Sequence, residues 1–200
     1  MFKNIVKQCK ATVILLLLFT LFLGFIYTGA ITGFASILFP NKSNGSLVKQ
    51  NNTVIGSKLI GQNFTSDKYF WGRPSVSSTL PYVAMTAKGS NLGPISPLLR
   101  KNIEDRIAIL KKSDLQNNNL IPIELVTASA SGIDPHISPA AAFYQVNRVA
   151  KARNLHSNIV NQIVKDHIKK RQFGIFGEPR VNVLELNLDL DARQAATHKH

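Results

Sequence analysis

The chain has 200 residues, 44% of them hydrophobic and 18% charged, which suits one folded domain and excludes a disordered or low-complexity protein. Its formal net charge is +13, yet every carboxylate lies at or after Asp67, and the first forty residues carry only Lys3, Lys7 and Lys10. The length leaves no room for a multidomain enzyme, and the single cysteine, Cys9, excludes an internal disulfide framework and a Cys-rich metal site.

Residues 1–10 form a short basic tail, expected on the cytoplasmic side. Residues 11–39 contain no charge, and as a helix they would exceed a hydrocarbon core of ~30 Å. They predict one transmembrane segment. A buried soluble helix would show a polar face, which this segment lacks. A cleaved signal peptide is the sharper competitor, with Thr28-Gly29-Ala30 as its cleavage site. Apolar residues continue past that site through Ile31, Phe34, Ile37, Leu38 and Phe39, as in an uncleaved anchor. Three lysines before the segment against Lys42 and Lys49 after it favour a cytoplasmic amino terminus and an external carboxyl-terminal domain. That domain would then hold no cysteine, which fits an oxidising compartment. Gly24, Thr28, Gly29, Thr32, Gly33 and Ser36 recur at helical spacing and predict a face on which a partner helix packs closely.

Residues 40–52 read as a polar linker, residues 53–193 as one compact soluble domain, and residues 194–200 as a disordered tail. Within the domain, Thr53 to Ile60 is β-prone around Gly56. The Ser/Gly/Pro-rich stretch 66–97 is expected to be an ordered loop, because Tyr69, Phe70, Trp71 and Tyr82 need somewhere to pack. Ser96-Pro97 and Ser138-Pro139 each read as a helix cap followed by a first-turn proline. The first helix carries Leu98, Leu99, Ile103, Ile107 and Leu110, and the second runs from Pro139 to about Arg153. Ile159, Val160, Ile163, Val164 and Ile168 mark a third helix. Ile121 to Ala128 is predicted as a strand. Arg180 to Asp191 is predicted as another, with a bulge where the alternation changes parity between Val183 and Leu184. Strands and helices do not alternate regularly, so the class expected is α+β.

The densest polar cluster is Thr127 to Pro139, with Ser129, Ser131, Asp134, His136 and Ser138. A membrane-anchored external hydrolase using Ser129 to His136 is one reading. The other is a strand-to-helix turn shaped by Gly132 and Pro135, with Asp134 satisfying backbone donors and Ser138 capping a helix. No Gly-x-Ser-x-Gly accompanies the serines. His136, His156 and His167 are isolated, so no metal site is expected. Gly89 to Gly93 and Ser129 to Gly132 could expose backbone N–H groups to a phosphate, but neither has the P-loop spacing. Beyond residue 40 there are 21 Lys and Arg against 11 acids. Without a basic run interleaved with aromatics, this suits an anionic membrane surface and not nucleic acid.

Several ordered blocks resemble the C subunit of the Kdp potassium-transporting P-type ATPase, KdpC. They are Phe39-Pro40 with Asn44-Gly45-Ser46-Leu47, Gly56 to Phe64, Tyr69 to Ser75, Ser90 to Pro94, Val126 to Ala142 with Tyr144-Gln145-Val146, and Gly177 to Leu184 with Leu186-Asn187-Leu188. Departures are Tyr27-Thr28 for Tyr-Pro, Lys88-Gly89 for Gly-Gly, and Ser129-Ala130-Ser131-Gly132 for Ser-Gly-Ser-Gly. The resemblance implies a single-span subunit of the bacterial inner membrane within a high-affinity potassium uptake complex. The implied partners are KdpA, which carries the ion pathway, KdpB, which is phosphorylated and hydrolyses ATP, a small KdpF-like subunit, and the lipid bilayer. It implies no catalytic residue or cofactor in this chain. Its role would be to assemble or stabilise the complex and, as a catalytic chaperone, to promote ATP binding by KdpB. Ser129, Ser131, Gly132 and Gln145 are the candidate nucleotide contacts, with ATP reached through the complex with KdpB.

Overall fold

The first proline of the chain is Pro40, so nothing interrupts helix formation in the apolar amino-terminal stretch. In a computed structural model that describes residues 2–50, 52–76 and 81–197, α1 spans Phe2–Leu21 and α2 spans Thr28–Leu38. One π-helical turn, Phe22–Tyr27, joins them, so the helix is continuous. Its membrane-length portion, Asn4–Leu38, is 35 residues long, and its most apolar stretch is wholly exposed within the chain. The helix stops because a residue before proline is pushed out of the α region: Phe39 has φ −136° and ψ 57°. Pro40–Ser43 then adds one short turn, α3. The π turn ends against Thr28, whose Oγ1 donates to the Leu23 carbonyl at 2.8 Å.

The chain divides into two units, Met1–Leu47 and Val48–His200. The second is α+β. Leu47–Gln50 (β1) and Thr53–Ser57 (β2) form a two-stranded sheet, so both a helical turn and a strand lie in the stretch read as linker. Pro97–Ser113 (α4) begins as its sequence directs, with Ser96 accepting from the Leu99 amide at 3.4 Å. His136–Ile137 (β3) pairs antiparallel with Val181–Asn182 (β4), register His136 to Asn182. Pro139–Arg153 (α5) is the central helix, with Ala141, Ala142, Gln145, Val146, Arg148, Val149 and Arg153 buried. It ends at Asn154 in the left-handed region, φ 54°, a conformation asparagine tolerates at a helix end. Ser157–Asp166 (α6) packs against α5 through Val160, Ile163 and Val164. Phe70, Leu110, Leu125, Ile137, Leu186 and Leu190 complete the core.

Two predicted strands are corrected. Ile121 to Ala128 holds a single 3-10 turn, Ile123–Leu125, because Pro122 opens a tight turn in which its carbonyl accepts from Leu125 N. Arg180 to Asp191 is extended only at β4, and Val183–Thr197 is helix α7. The parity change at Val183 marks the strand-to-helix junction and not a bulge. Asn182 Oδ1 accepts from the Glu185 amide at 3.1 Å, and Asn182-x-x-Glu185 has the spacing of a capping box. The buried residues Val183, Leu186, Asn187 and Leu190 fall at helical spacing. The alternating leucines also fit a strand, but leucine is a strong helix former and the cap decides. Helix α7 runs through Thr197, into the stretch expected as a tail; His198 and His200 lie outside the described residues.

Candidate functional site

The Thr127–Pro139 segment satisfies its own backbone. Ser129 Oγ accepts from Gly132 N at 2.9 Å, and Ser131 Oγ from Ile133 N at 3.3 Å. Gly132 has φ +71°, and a Cβ there would stand 2.6 Å from the Lys88 carbonyl oxygen, so both conformation and space require glycine. Asp134 Oδ1 accepts from His136 N at 3.0 Å and lies 3.4 Å from its Nδ1, while Arg73 Nη1 is 3.8 Å from Oδ2. Burial alone would raise the Asp134 carboxyl pKa, but His136 and Arg73 outweigh it and hold it below its ordinary value. Ser138 Oγ accepts from Ala141 N at 3.2 Å, and Ser138 N donates to Glu124 Oε1 at 2.6 Å.

The segment is also tied outward. Gly61 N donates to Ile133 O at 2.8 Å, and Val183 N to Pro135 O at 3.0 Å. His136 bonds neither Ser129 nor Ser131, so the Ser–His contact a hydrolytic triad needs is not formed. Ser129 is buried, Ser131 is exposed, and Gly132 is buried.

Gln145 stands elsewhere, under the aromatic segment Asp67 to Trp71. That segment has no regular secondary structure, yet Phe70 and Trp71 are buried, so its peptide groups need partners. Side chains supply them. Gln145 accepts from Trp71 N at 2.8 Å and donates to Trp71 O at 3.1 Å. Asn187 accepts from Phe70 N at 2.8 Å and donates to Phe70 O at 3.0 Å. Arg148 donates to Asp67 O at 2.7 Å, to Tyr69 O at 3.1 Å and to Gln145 Oε1 at 2.7 Å. Arg153 donates to Lys68 O at 2.6 Å and to Asp191 Oδ1 at 2.8 Å. The Arg148 guanidinium also lies 4.1 Å from the Trp71 ring centroid, and burial lowers its pKa to about 10. The carboxamide of Gln145 is therefore occupied. Of the four nucleotide candidates, Ser129, Ser131 and Gly132 come together in one turn, and Gln145 is held in the core by Trp71 and Arg148.

Sequence reasoning missed Arg148, Arg153 and Asn187 as organisers of this loop. A polar residue at a core position of a helix was the available signal. Reading 180–191 as a strand put Asn187 on a face opposite to the leucines and hid it.

In the first unit, Gly24, Gly29 and Gly33 would each accept a Cβ with nothing within 4 Å. Gly24 lies within the π turn, whose i→i+5 bonding advances fewer degrees per residue than an α-helix. This rotates Gly24 toward the arc shared by Thr28, Gly29, Thr32, Gly33 and Ser36. Thr28 uses its hydroxyl on the helix's own backbone, and Gly24, Gly29 and Gly33 leave open space beside them.

The class so defined is one helix of membrane length ahead of an α+β unit whose Thr127–Pro139 side chains bond its own backbone. The family model described as "KdpC: K+-transporting ATPase, c chain" matches residues 9–192. The "Potassium-transporting ATPase KdpC subunit" of Burkholderia orbicola (strain MC0-3) is 52% identical over 187 residues, covering 94% of this chain and 97% of that protein. The protein of the same description from Polynucleobacter asymbioticus is 51% identical over 189 residues, covering 94% and 98%. That from Dechloromonas aromatica is 50% identical over 183 residues, covering 92% and 96%. The chain belongs to the KdpC family.

Proposed function

We propose that this chain is the anchored accessory subunit of an ATP-driven, high-affinity potassium uptake complex of the bacterial inner membrane. The family match over residues 9–192, which takes in both helix and domain, carries the reading. Hydrolysis belongs to KdpB and the ion pathway to KdpA, with a small KdpF-like subunit beside them. The amino terminus lies in the cytoplasm and the second unit outside. The helix packs on a partner helix through Gly24, Thr28, Gly29, Thr32, Gly33 and Ser36, and the second unit stabilises the assembly.

This subunit promotes ATP binding by KdpB through assembly and not through its own nucleotide contacts. Two observations support that: the Gln145 carboxamide is filled by Trp71 and Arg148, and Ser129 is turned onto Gly132. The test compares the ATP KM of purified complexes. Omission of this subunit should raise the KM, and Ser131→Ala, which removes the exposed hydroxyl of the turn, should leave it unchanged. A several-fold KM increase with Ser131→Ala in a fully assembled complex would favour direct nucleotide contact instead.

A further inference from the structure

The second unit carries one feature that its core does not require. Between α6 and β4 the chain makes a narrow hairpin closed by reciprocal bonds. Lys169 N donates to Arg180 O at 2.8 Å and Arg180 N to Lys169 O at 3.0 Å. Nearer the tip, Gln172 N donates to Phe176 O at 2.8 Å and Phe176 N to Gln172 O at 2.9 Å. Phe173 and Gly174 turn the chain with φ 53° and 75°. At this ordered tip Phe173, Ile175 and Phe176 are 92%, 71% and 64% exposed. A single exposed apolar side chain is ordinary on a protein surface, but three together on a hydrogen-bonded turn mark a surface that something covers.

The surroundings say what covers it. Residues 169–180 contain Lys169, Lys170, Arg171 and Arg180 against one carboxylate, Glu178. Arg171 pairs with Glu178 at 2.6 Å and Lys169 with Glu185 at 2.7 Å, which steadies the stem. Lys170 is exposed and has no carboxylate partner among the described residues. An aromatic and aliphatic tip above a cationic collar is complementary to an anionic bilayer, with acyl chains below and phosphates at the level of the collar. The chain leaves the apolar helix at Leu38 and enters the second unit at Val48, so a short connection links the domain to the helix of membrane length.

We infer that the Lys169–Arg180 hairpin is a second, peripheral membrane contact, with Phe173, Ile175 and Phe176 inserted at the interface and Lys170 held at anionic lipid headgroups. Each cation near such a surface strengthens binding about fivefold.

The test uses the full chain, carrying Cys9→Ser and Ile175→Cys with an environment-sensitive fluorophore at position 175, reconstituted into vesicles. One set contains equal parts of phosphatidylglycerol and phosphatidylcholine, and the other phosphatidylcholine alone. Acyl-brominated lipid should quench the label strongly in the anionic vesicles, where aqueous iodide should not reach it. Lys170→Glu, which leaves the Arg171–Glu178 pair intact, should reduce bromolipid quenching several-fold, as should phosphatidylcholine alone. A label at Asn158→Cys, exposed on α6, should stay open to iodide throughout. A tip label open to iodide in both vesicle types overturns the inference, and equal quenching in neutral vesicles overturns its anionic selectivity. A label shielded only in the complete potassium pump, without bromolipid quenching, assigns the tip to a protein partner and also overturns it.

Discussion

Asn187 is 1% exposed and bonds both polar groups of the Phe70 peptide unit, with Gln145 doing the same for Trp71. These two amides replace the strand that would otherwise pair with this segment. Asn187→Leu keeps the number and branching of side-chain heavy atoms but strands a buried N–H and a buried C=O, each costing about 1–3 kcal/mol and together about 2–6 kcal/mol. Urea unfolding of the full chain in detergent, followed by the single tryptophan, Trp71, should show a loss in that range. A loss under about 0.5 kcal/mol, the scale of a neutral surface change, would mean the loop is held by packing alone. Glu185 supplies a pH-dependent counterpart. It bridges Lys58 at 2.6 Å and Lys169 at 2.7 Å. Burial by itself would raise its pKa, but the two ammonium groups outweigh burial and place it below the ordinary 4.5. A carboxylate whose folded pKa is depressed contributes stability above the unfolded value and loses it as pH falls through the folded one. The stability gap between the natural chain and Glu185→Gln should therefore be constant at neutral pH and narrow below 4.5. A gap that stays constant down to acid unfolding would show that the charge contributes nothing.

Elements behave as their ends dictate. Helices α4 and α5 begin at serine caps followed by proline, and these were readable because a cap is a local bond between neighbours. Helix α7 was misread because four alternating leucines satisfy a period of two, while its cap, Asn182, lies among β-prone valines. The membrane helix allows a clean element-scale experiment. Nothing in the chain lies within 4 Å of a Cβ added at Gly29 or Gly33, so leucine at both positions meets no internal clash. The double variant should insert and fold normally but co-purify poorly with the other pump subunits, because a close helix-helix approach is blocked. Leucine in place of Phe34, 64% exposed, is the matched control. Undiminished co-purification of the double variant would place the assembly contacts in the second unit.

At the scale of the whole molecule, the chain is an exposed apolar helix and a separately folded α+β unit. The lysines before the helix predict a cytoplasmic amino terminus. Protease added to intact spheroplasts should therefore degrade the chain beyond residue 41 and spare the amino-terminal tail; full protection would invert the topology. The anchor, the capped helices, the α+β class and the family resemblance were all available from sequence, because each depends on composition, local spacing or ordered motifs. The partners of residues far apart in the chain were not. Phe70 meets Asn187 and Trp71 meets Gln145 across separations of 117 and 74 residues, contacts that no local period encodes. The same limit applied to the 127–139 turn, where the sequence offered both a hydrolase cluster and a structural loop. Tertiary structure directs the polar groups there onto neighbouring backbone, Ser129 to Gly132 N, Asp134 to His136 N and Ser138 to Ala141 N, which favours the loop.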